Sequence, residues 1–270
     1  MSGNTNKKKV GLALGSGGVR GLAHVGVIKS LAENNIPIDL IAGSSIGSWV
    51  GAHYALFQDV ELLRDFTVGK KKEKLLSFLD PKLRGGLVGG NKLESMLDLW
   101  LNHCNFEDLK IPLAITTTDL ISGKQHVFQD GNLAFACRAS MAVPGIFRPV
   151  KFEQKLLVDG GISDPVPDDL LKQLGADIII SVNLDHRGEL NINLQKPKLI
   201  DVSIRTMDLL RQNLAKLSMQ QSDVIIEPNL SKYAKWSDYF LKKNEDEIVE
   251  AGWREANSKI KDILSLLNSD

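Results

Sequence analysis

The chain has 270 residues, with 33 basic and 33 acidic side chains, and a pI near 7.0. That length can bury a sizeable core as one large domain or two small ones, and the neutral balance leaves no basic footprint for nucleic acid. Two cysteines, Cys104 and Cys137, supply neither a disulfide framework nor metal-ligand spacing, so no metal is expected and both read as small buried hydrophobes in a reducing compartment.

Residues 1–7 are polar and basic and are expected to form a disordered tail. The apolar run that follows, Val10 to Leu14, is too short for the core of a signal peptide. No stretch approaches 18 apolar residues, so no membrane span is expected and a cytoplasmic location is. There is no internal repeat and no low-complexity segment.

Lys9 to Leu14 reads as a first strand. It runs into Gly15-Ser16-Gly17-Gly18-Val19-Arg20-Gly21 and then a helix from about Leu22 to Glu33, with Leu22, Val25, Ile28 and Leu31 at mostly helical spacing. Asn34-Asn35 and Pro37 end that helix. Ile38 to Ala42 is a second apolar strand, broken by Gly43-Ser44-Ser45-Ile46-Gly47. Ser48 to Leu56 leaves as a packed helix. This order describes a crossover pair in a parallel sheet, with both glycine-containing loops at the carboxyl ends of strands, where ligands bind.

Gln58 to Lys74 reads as helical and ends in Lys70-Lys71-Lys72-Glu73-Lys74. That cluster is ordinarily a solvated helix face; the alternative is a peripheral contact with anionic lipid headgroups. The loop through Gly85-Gly86-Leu87-Val88-Gly89-Gly90 is a lid or a plain connector. Asn91 caps a helix whose Leu93, Met96, Leu97, Trp100 and Leu101 read as core. Ile111 to Thr118, Gln125 to Gln129, Lys155 to Val158, Asp177 to Leu184 and Val224 to Ile226 read as strands. Helices are expected over Asn132 to Met141, Pro165 to Leu174 and Glu245 to Leu267. A further amphipathic helix is marked by Ile200, Ile204, Met207, Leu210, Leu214 and Leu217.

Gly43-Ser44-Ser45-Ile46-Gly47 is a G-x-S-x-G pattern. Chance gives it in about one of seven chains of this composition, so the pattern alone is only a hypothesis. The context adds weight: strand, tight turn with a central serine, then helix is what a nucleophile elbow requires. Gly43 and Gly47 flank Ser45 where strand and helix come too close for a Cβ. A serine hydroxyl still needs a base.

Two bases are open. The order Ser, acid, His admits a Ser45–Asp159–His186 triad, as in α/β-hydrolases, although that fold places its elbow after several strands. Alternatively Asp159, which follows a strand at the same sheet edge as the elbow and precedes Gly160-Gly161, takes the Ser45 proton directly once desolvation makes it more basic. The bland reading of Asp159-Gly160-Gly161 is a plain turn. His24 and His53 lie on helices and read as satisfied packing residues. The first glycine loop has three readings: a tight turn, a dinucleotide fingerprint, and an oxyanion hole built from the Gly17 and Gly18 amides. The dinucleotide reading lacks its third glycine, since Arg20 stands there. A nucleophile on the neighbouring strand favours the oxyanion hole.

Three motifs in this order, Gly15-Ser16-Gly17-Gly18-Val19-Arg20-Gly21, Gly43-Ser44-Ser45-Ile46-Gly47 and Asp159-Gly160-Gly161, resemble those of the patatin-like phospholipase family. Ala139-Ser140-Met141-Ala142-Val143-Pro144-Gly145-Ile146-Phe147 is similar to the family's segment before the aspartate strand. Asp223 to Pro228 and Glu250-Ala251-Gly252-Trp253 resemble the tail of compact bacterial members. The similarity covers about residues 8–265, which are expected to form a single patatin-like domain.

The resemblance implies a three-layer α/β/α fold with a mostly parallel central sheet. It implies a hydrolase of lipid or other acyl esters that uses a Ser–Asp dyad and neither metal, cofactor nor histidine. Ser45 would be the nucleophile, Asp159 the base, Gly17 and Gly18 the oxyanion donors, and Arg20 a support for their loop. Many members begin the first motif Asp-Gly-Gly-Gly where this chain has Gly15-Ser16-Gly17-Gly18; the oxyanion glycines are retained. The rival expectation is a regulatory or interaction protein on the same fold with an idle site. The apolar stretches near Leu87 and Phe147 have two equal readings, lining of an acyl pocket and ordinary core.

Overall fold

The computed structural model describes residues 7–69, 88–185, 199–232 and 242–269. The strands are β1 (Val10–Leu14), β2 (Leu40–Ser44), β3 (Leu113–Asp119), β4 (Gln125–Phe128), β5 (Val150–Phe152), β6 (Lys155–Val158), β7 (Ile178–Val182) and β8 (Val224–Ile226). The α-helices are α1 (Leu22–Glu33), α2 (Ile46–Phe57), α3 (Val60–Thr67), α4 (Asn91–Trp100), α5 (Leu133–Ser140), α6 (Asp168–Gln173), α7 (Leu199–Leu217) and α8 (Lys242–Asn268). The Lys70–Lys74 cluster, Leu87, His186 and the tail before Lys7 lie outside the described residues.

The strands join in one sheet in the order β5-β6-β3-β2-β1-β7-β8, with β4 also paired to β3. The pairs β1–β2, β1–β7, β2–β3 and β7–β8 are parallel, and β3–β4, β3–β6 and β5–β6 are antiparallel. The central strands are apolar throughout, as strands covered on both faces must be. Their side chains alternate between two cores. Leu12, Leu14, Ile41, Ile115 and Ile180 enter the larger core with α1, α2, α4, α5 and α8. Ala13, Ala42, Ala114 and Ile179 enter a smaller one with Leu170 and Leu171 of α6 and Ala215 of α7. The result is a three-layer α/β/α arrangement with a mostly parallel sheet.

One register detail places the site. Ile115 of β3 pairs with Gly43 of β2 and with Phe128 of β4, so β2 and β4 lie on opposite edges of β3. Thr118 pairs with Gln125 of β4 and with Val158 of β6, so β6 shares the β2 edge. β2 runs along that edge and stops at Ser44, opposite Thr116; β6 runs back along it and stops at Val158, opposite Thr118. The two strands therefore meet end to end, and the residues following each, Ser45 and Asp159, are brought face to face.

Candidate active site

Ser45 sits between β2 and α2 with φ 53° and ψ −122°, a conformation that a residue with a Cβ adopts only when its surroundings impose it. Those surroundings are close. A Cβ on Gly47 would lie 2.1 Å from the Leu14 carbonyl oxygen, and one on Gly43 would lie 2.6 Å from the Ser48 Cα. The Ser45 amide donates to Ser140 Oγ at 2.8 Å, and that hydroxyl donates to the Thr116 carbonyl at 2.7 Å. Ser48 Oγ donates to the Ser45 carbonyl at 2.5 Å. Every polar backbone atom of Ser45 is thus held by a residue on another element or the next helical turn.

The Ser45 hydroxyl donates to Asp159 Oδ2 at 2.5 Å, and both residues are buried. The other carboxylate oxygen, Oδ1, accepts from the Gly161 amide at 2.8 Å, and the Asp159 carbonyl accepts from Thr118 Oγ1 at 2.9 Å. A Cβ on Gly160 would lie 2.3 Å from the Thr116 carbonyl oxygen, and one on Gly161 would lie 2.7 Å from Ser16 Oγ. Burial pushes the Asp159 carboxyl above its ordinary range; the hydrogen bonds from Ser45 and Gly161 and the charge of Arg211 pull the other way, and Asp185 adds to the rise. A carboxylate raised by desolvation is a better base than one in water.

The Gly15–Gly21 loop leaves β1 beside this pair. The Gly15 amide donates to the Val182 carbonyl at 3.1 Å and the Ser16 amide to the Pro165 carbonyl at 2.8 Å. His24 Nε2 lies 2.8 Å from the Gly15 carbonyl oxygen; a carbonyl only accepts, so that nitrogen carries the proton. The loop's far end is held by Arg20, which is 3 % exposed. Arg20 donates to the Gly17 carbonyl at 3.1 Å, the Leu184 carbonyl at 2.7 Å and Asp185 Oδ1 at 2.9 Å. Asp185 also accepts two hydrogen bonds from Arg211 of α7, at 2.7 and 2.9 Å. Between these anchors Gly18 has φ +56° and nothing within 4 Å of where a Cβ would stand. Neither the Gly17 nor the Gly18 amide has an acceptor among the described residues.

A strained serine bonded to a buried carboxylate, beside a loop with two unclaimed amides, is an arrangement able to attack and stabilise an ester carbonyl. Comparison with known proteins agrees with that chemistry. Residues 12–171 match the family model described as Patatin-like phospholipase. The chain belongs to the patatin-like phospholipase family. An uncharacterized NTE family protein of Mycobacterium tuberculosis is 38% identical over 183 residues, 67% of this chain and 50% of that protein. The patatin-like phospholipase domain-containing protein 6 of Homo sapiens is 30% identical over 200 residues, 72% of this chain and 14% of that one. The lysophospholipase NTE1 of Pyricularia oryzae is 34% identical over 183 residues, 66% of this chain and 12% of that one. The chain therefore spans half, or less, of the length of these relatives. Among solved structures, VipD of Legionella pneumophila matches 95% of this chain and 67% of its own with a TM-score of 0.55 at 14% identity. The type III effector ExoU matches 95% of this chain and 53% of its own with a TM-score of 0.50 at 15% identity. At these identities the two neighbours speak for the patatin-like fold.

Several expectations need adjustment. His24 is satisfied at one nitrogen only, and His53 at neither; both are packing residues whose burial lowers them to about 4. Phe147 is buried in the larger core against the Arg138 guanidinium, 5.5 Å from its ring centre, which is the core reading of its stretch. Asn91 does not cap α4; Gly90 occupies that position with φ 91°. Sequence reasoning assigned no role to Ser140, Asp185 or Arg211, which hold Ser45 and the Gly15–Gly21 loop. A serine at a helix end and a charge pair 26 residues apart leave no local pattern to read. Among the described residues no helix is long and apolar enough to cross a membrane.

Proposed function

We propose that the protein is a lipid acyl-ester hydrolase in which Ser45 and Asp159 act as a dyad. The observation that carries this reading is the 2.5 Å hydrogen bond from Ser45 Oγ to a buried Asp159 carboxylate. Asp159 Oδ2 takes the hydroxyl proton as Oγ attacks the ester carbonyl. Negative charge gathers on the carbonyl oxygen, against the Gly17 and Gly18 amides, and Arg20 keeps their loop in place. The tetrahedral intermediate collapses, the C–O bond to the alcohol breaks, and the departing oxygen takes the proton from Asp159. Water then attacks the acyl-serine; Asp159 accepts its proton and returns one to Ser45 Oγ as the fatty acid leaves. Losing one oxyanion donor from such a site costs about 3 kcal/mol of barrier.

The family name and the lysophospholipase relative support a phospholipid or lysophospholipid substrate. The unpaired thiols of Cys104 and Cys137 suit a reducing, cytoplasmic setting, with peripheral access to lipid.

The test is hydrolysis of a short p-nitrophenyl ester and of a lysophospholipid by the parent and by Ser45→Ala, Asp159→Asn and His186→Ala, each checked for folding. The expected result is loss of at least ~10⁴-fold in kcat for the first two and retention in the third. A folded but dead His186→Ala variant would replace the dyad with a triad. A parent inert on both substrates would favour a regulatory protein with an idle site.

A further inference from the structure

The end of the sheet that carries Ser45 and Asp159 also carries two projecting segments. β2 stops opposite Thr116, but β3 runs on beside β6, and the Leu120 amide donates to the Leu156 carbonyl at 2.8 Å. At ~3.3 Å per residue that point lies about 13 Å beyond the end of β2. The turn there presents Leu120 and Ile121 to solvent, 55 % and 71 % exposed. Across β2 and β1, helix α7 connects β7 to the parallel β8, so it runs against both strands. Near its end Ala215 packs in the smaller core, and Arg211 reaches Asp185, past the end of β7. Before Arg211 the helix continues outward, and none of its described residues is buried. At ~1.5 Å per residue Val202 stands about 14 Å beyond Arg211. Val202, Met207, Leu209 and Leu210 are all exposed, and so is Ile162 in the turn after Asp159.

The charges of these segments are sorted. Their acids turn to partners. Asp119 accepts from the Ser122 hydroxyl at 2.6 Å and from the Ile121, Ser122 and Leu156 amides. Glu153 lies 3.6 Å from Lys155, and Asp208 lies 3.1 Å from Arg211. Lys124 in the turn and Lys151 of β5 are exposed and form no ion pair among the described residues.

We infer that this end of the molecule docks on an anionic phospholipid bilayer. The Leu120–Ile121 turn and the projecting half of α7 would be its two apolar contacts, and Lys124 and Lys151 would meet lipid phosphates. It builds on the lipid-hydrolase reading of Ser45 and Asp159, because the dyad lies at the end that docks. Single exposed apolar residues are ordinary, but a set of them on segments projecting from one end marks a contact surface. The arrangement favours a bilayer over a protein. β3 and β7 are three strand spacings apart, about 14 Å, so the two apolar tips are separate, and a fluid surface can take both without a matching shape. Tips of this kind enter the boundary between headgroups and acyl chains. Lysines without a counter-charge add attraction to an anionic leaflet, where unpaired acids would oppose it.

The experiment is co-sedimentation of the full chain carrying Ser45→Ala with vesicles of phosphatidylcholine and phosphatidylglycerol, so that the lipid stays intact. Leu120→Ser/Ile121→Ser and Met207→Ser/Leu210→Ser should each lower the partition coefficient at least ~10-fold. Lys124→Gln and Lys151→Gln should each cost roughly 5-fold on these vesicles and nothing on pure phosphatidylcholine. Leu264→Ser is the control. It is exposed on α8, near the turn that Lys8 ties to the amino end of the sheet through the Leu266 carbonyl, and should change nothing. Folding of each variant is checked by its melting temperature.

Kinetics with Ser45 restored form a second arm. On vesicle phospholipid both paired variants should raise KM at least ~10-fold with kcat unchanged, and on soluble p-nitrophenyl acetate they should match the parent. Vesicle binding with the expected pattern beside an inert parent upholds the docking face and removes the hydrolase reading. Hydrolysis of the soluble ester without vesicle binding removes the docking face alone. Binding that neither paired variant weakens, or that Leu264→Ser weakens equally, overturns the inference. So does self-association in solution that the same two paired variants abolish, which would give this face to a second copy of the chain.

Discussion

The two halves of the site are held by different physics. Ser45 and Asp159 are fixed by backbone: two strands abut end to end on one edge of β3, and glycines at positions 47 and 160 leave no room for a Cβ. The Gly15–Gly21 loop is fixed by charge: Arg20 reaches Asp185, and Asp185 is clamped by Arg211 of α7. Between its anchors Gly18 stands in open space. Backbone contacts tolerate almost no substitution and are indifferent to salt and pH. A buried ion relay is sensitive to the loss of a member, because each charge taken from water is balanced by the others; Arg211 has a further partner in Asp208 at 3.1 Å. The proposed nucleophile is thus built in with the sheet, while the proposed oxyanion donors depend on a helix distant in sequence.

The largest test of this contrast sets two glycines against each other. Gly47→Ala drives a Cβ to within 2.1 Å of the Leu14 carbonyl oxygen, and backbone cannot yield as a flexible side chain can. A stability loss on the order of 3 kcal/mol or more is expected, seen as a collapse of the melting temperature or of soluble yield. Gly18→Ala meets no atom within 4 Å and bears only its positive φ, roughly 1–2 kcal/mol. Equal effects at the two positions would show that the halves are not held differently.

Next in size is the ion relay. Asp185→Asn keeps the shape of the acceptor and removes the charge shared by Arg20 and Arg211. Removing one partner from a buried pair costs about 3–5 kcal/mol, and the retained amide oxygen should hold the loss near the lower figure. kcat should fall with the loop, while the hydrogen bond of Ser45 to Asp159 stays. Asp185 also raises Asp159 and Arg211 lowers it, so without the aspartate the acid limb of the pH–rate profile should move to lower pH. A stable variant with full kcat would show that the loop needs no tether.

How much of this was visible in the sequence follows the same division. Ser45 and Asp159 announce themselves because each follows an apolar run and stands among glycines, and the run, the turn and the glycine all lie within a few residues. That they meet was expected from a shared sheet edge; that they meet through an antiparallel β6 running back at the end of β2 depends on the pairing of Thr118 with Val158, which no local pattern encodes. The Arg20–Asp185–Arg211 relay joins residues 26 to 165 apart and leaves no periodic trace. Helix α7 shows another limit. Its apolar stripe is legible, but Met207, Leu210 and Leu217 face outward, 49 %, 65 % and 63 % exposed, while Arg211 turns inward to Asp185. A 3.6-residue period reveals that a stripe exists and not which way it points.

A smaller effect is expected at Ser140, whose hydroxyl accepts from the Ser45 amide and donates to the Thr116 carbonyl. Ser140→Ala leaves the Ser45 amide buried without an acceptor, a loss of about 1–3 kcal/mol. Because that amide fixes the strained backbone, kcat should fall with KM nearly unchanged. Ser140→Cys or Ser140→Thr, which return an acceptor, should restore part of it. A fall in KM-linked binding alone would place Ser140 outside the elbow's support.

The smallest effect is on stability, and it reads the dyad without any substrate. Burial raises the folded-state carboxyl of Asp159 above its unfolded value. A group shifted that way binds its proton more tightly when folded, so the stability it lends is full below an ordinary aspartate's range and is lost as pH rises through the folded value. Once ionised, the carboxylate is therefore a net cost to the fold, one that the proposed role as base accounts for. Asp159→Asn cannot ionise and keeps an oxygen for the Gly161 amide. Its melting temperature should match the parent's in acid and exceed it once pH has risen through the folded-state value, with the gap opening over the same interval in which the parent's kcat/KM rises as the base forms. Two curves, one from calorimetry and one from kinetics, then report a single titration. A gap independent of pH, or a kinetic limb that does not coincide with it, would mean that Asp159 is not the group whose ionisation starts the reaction.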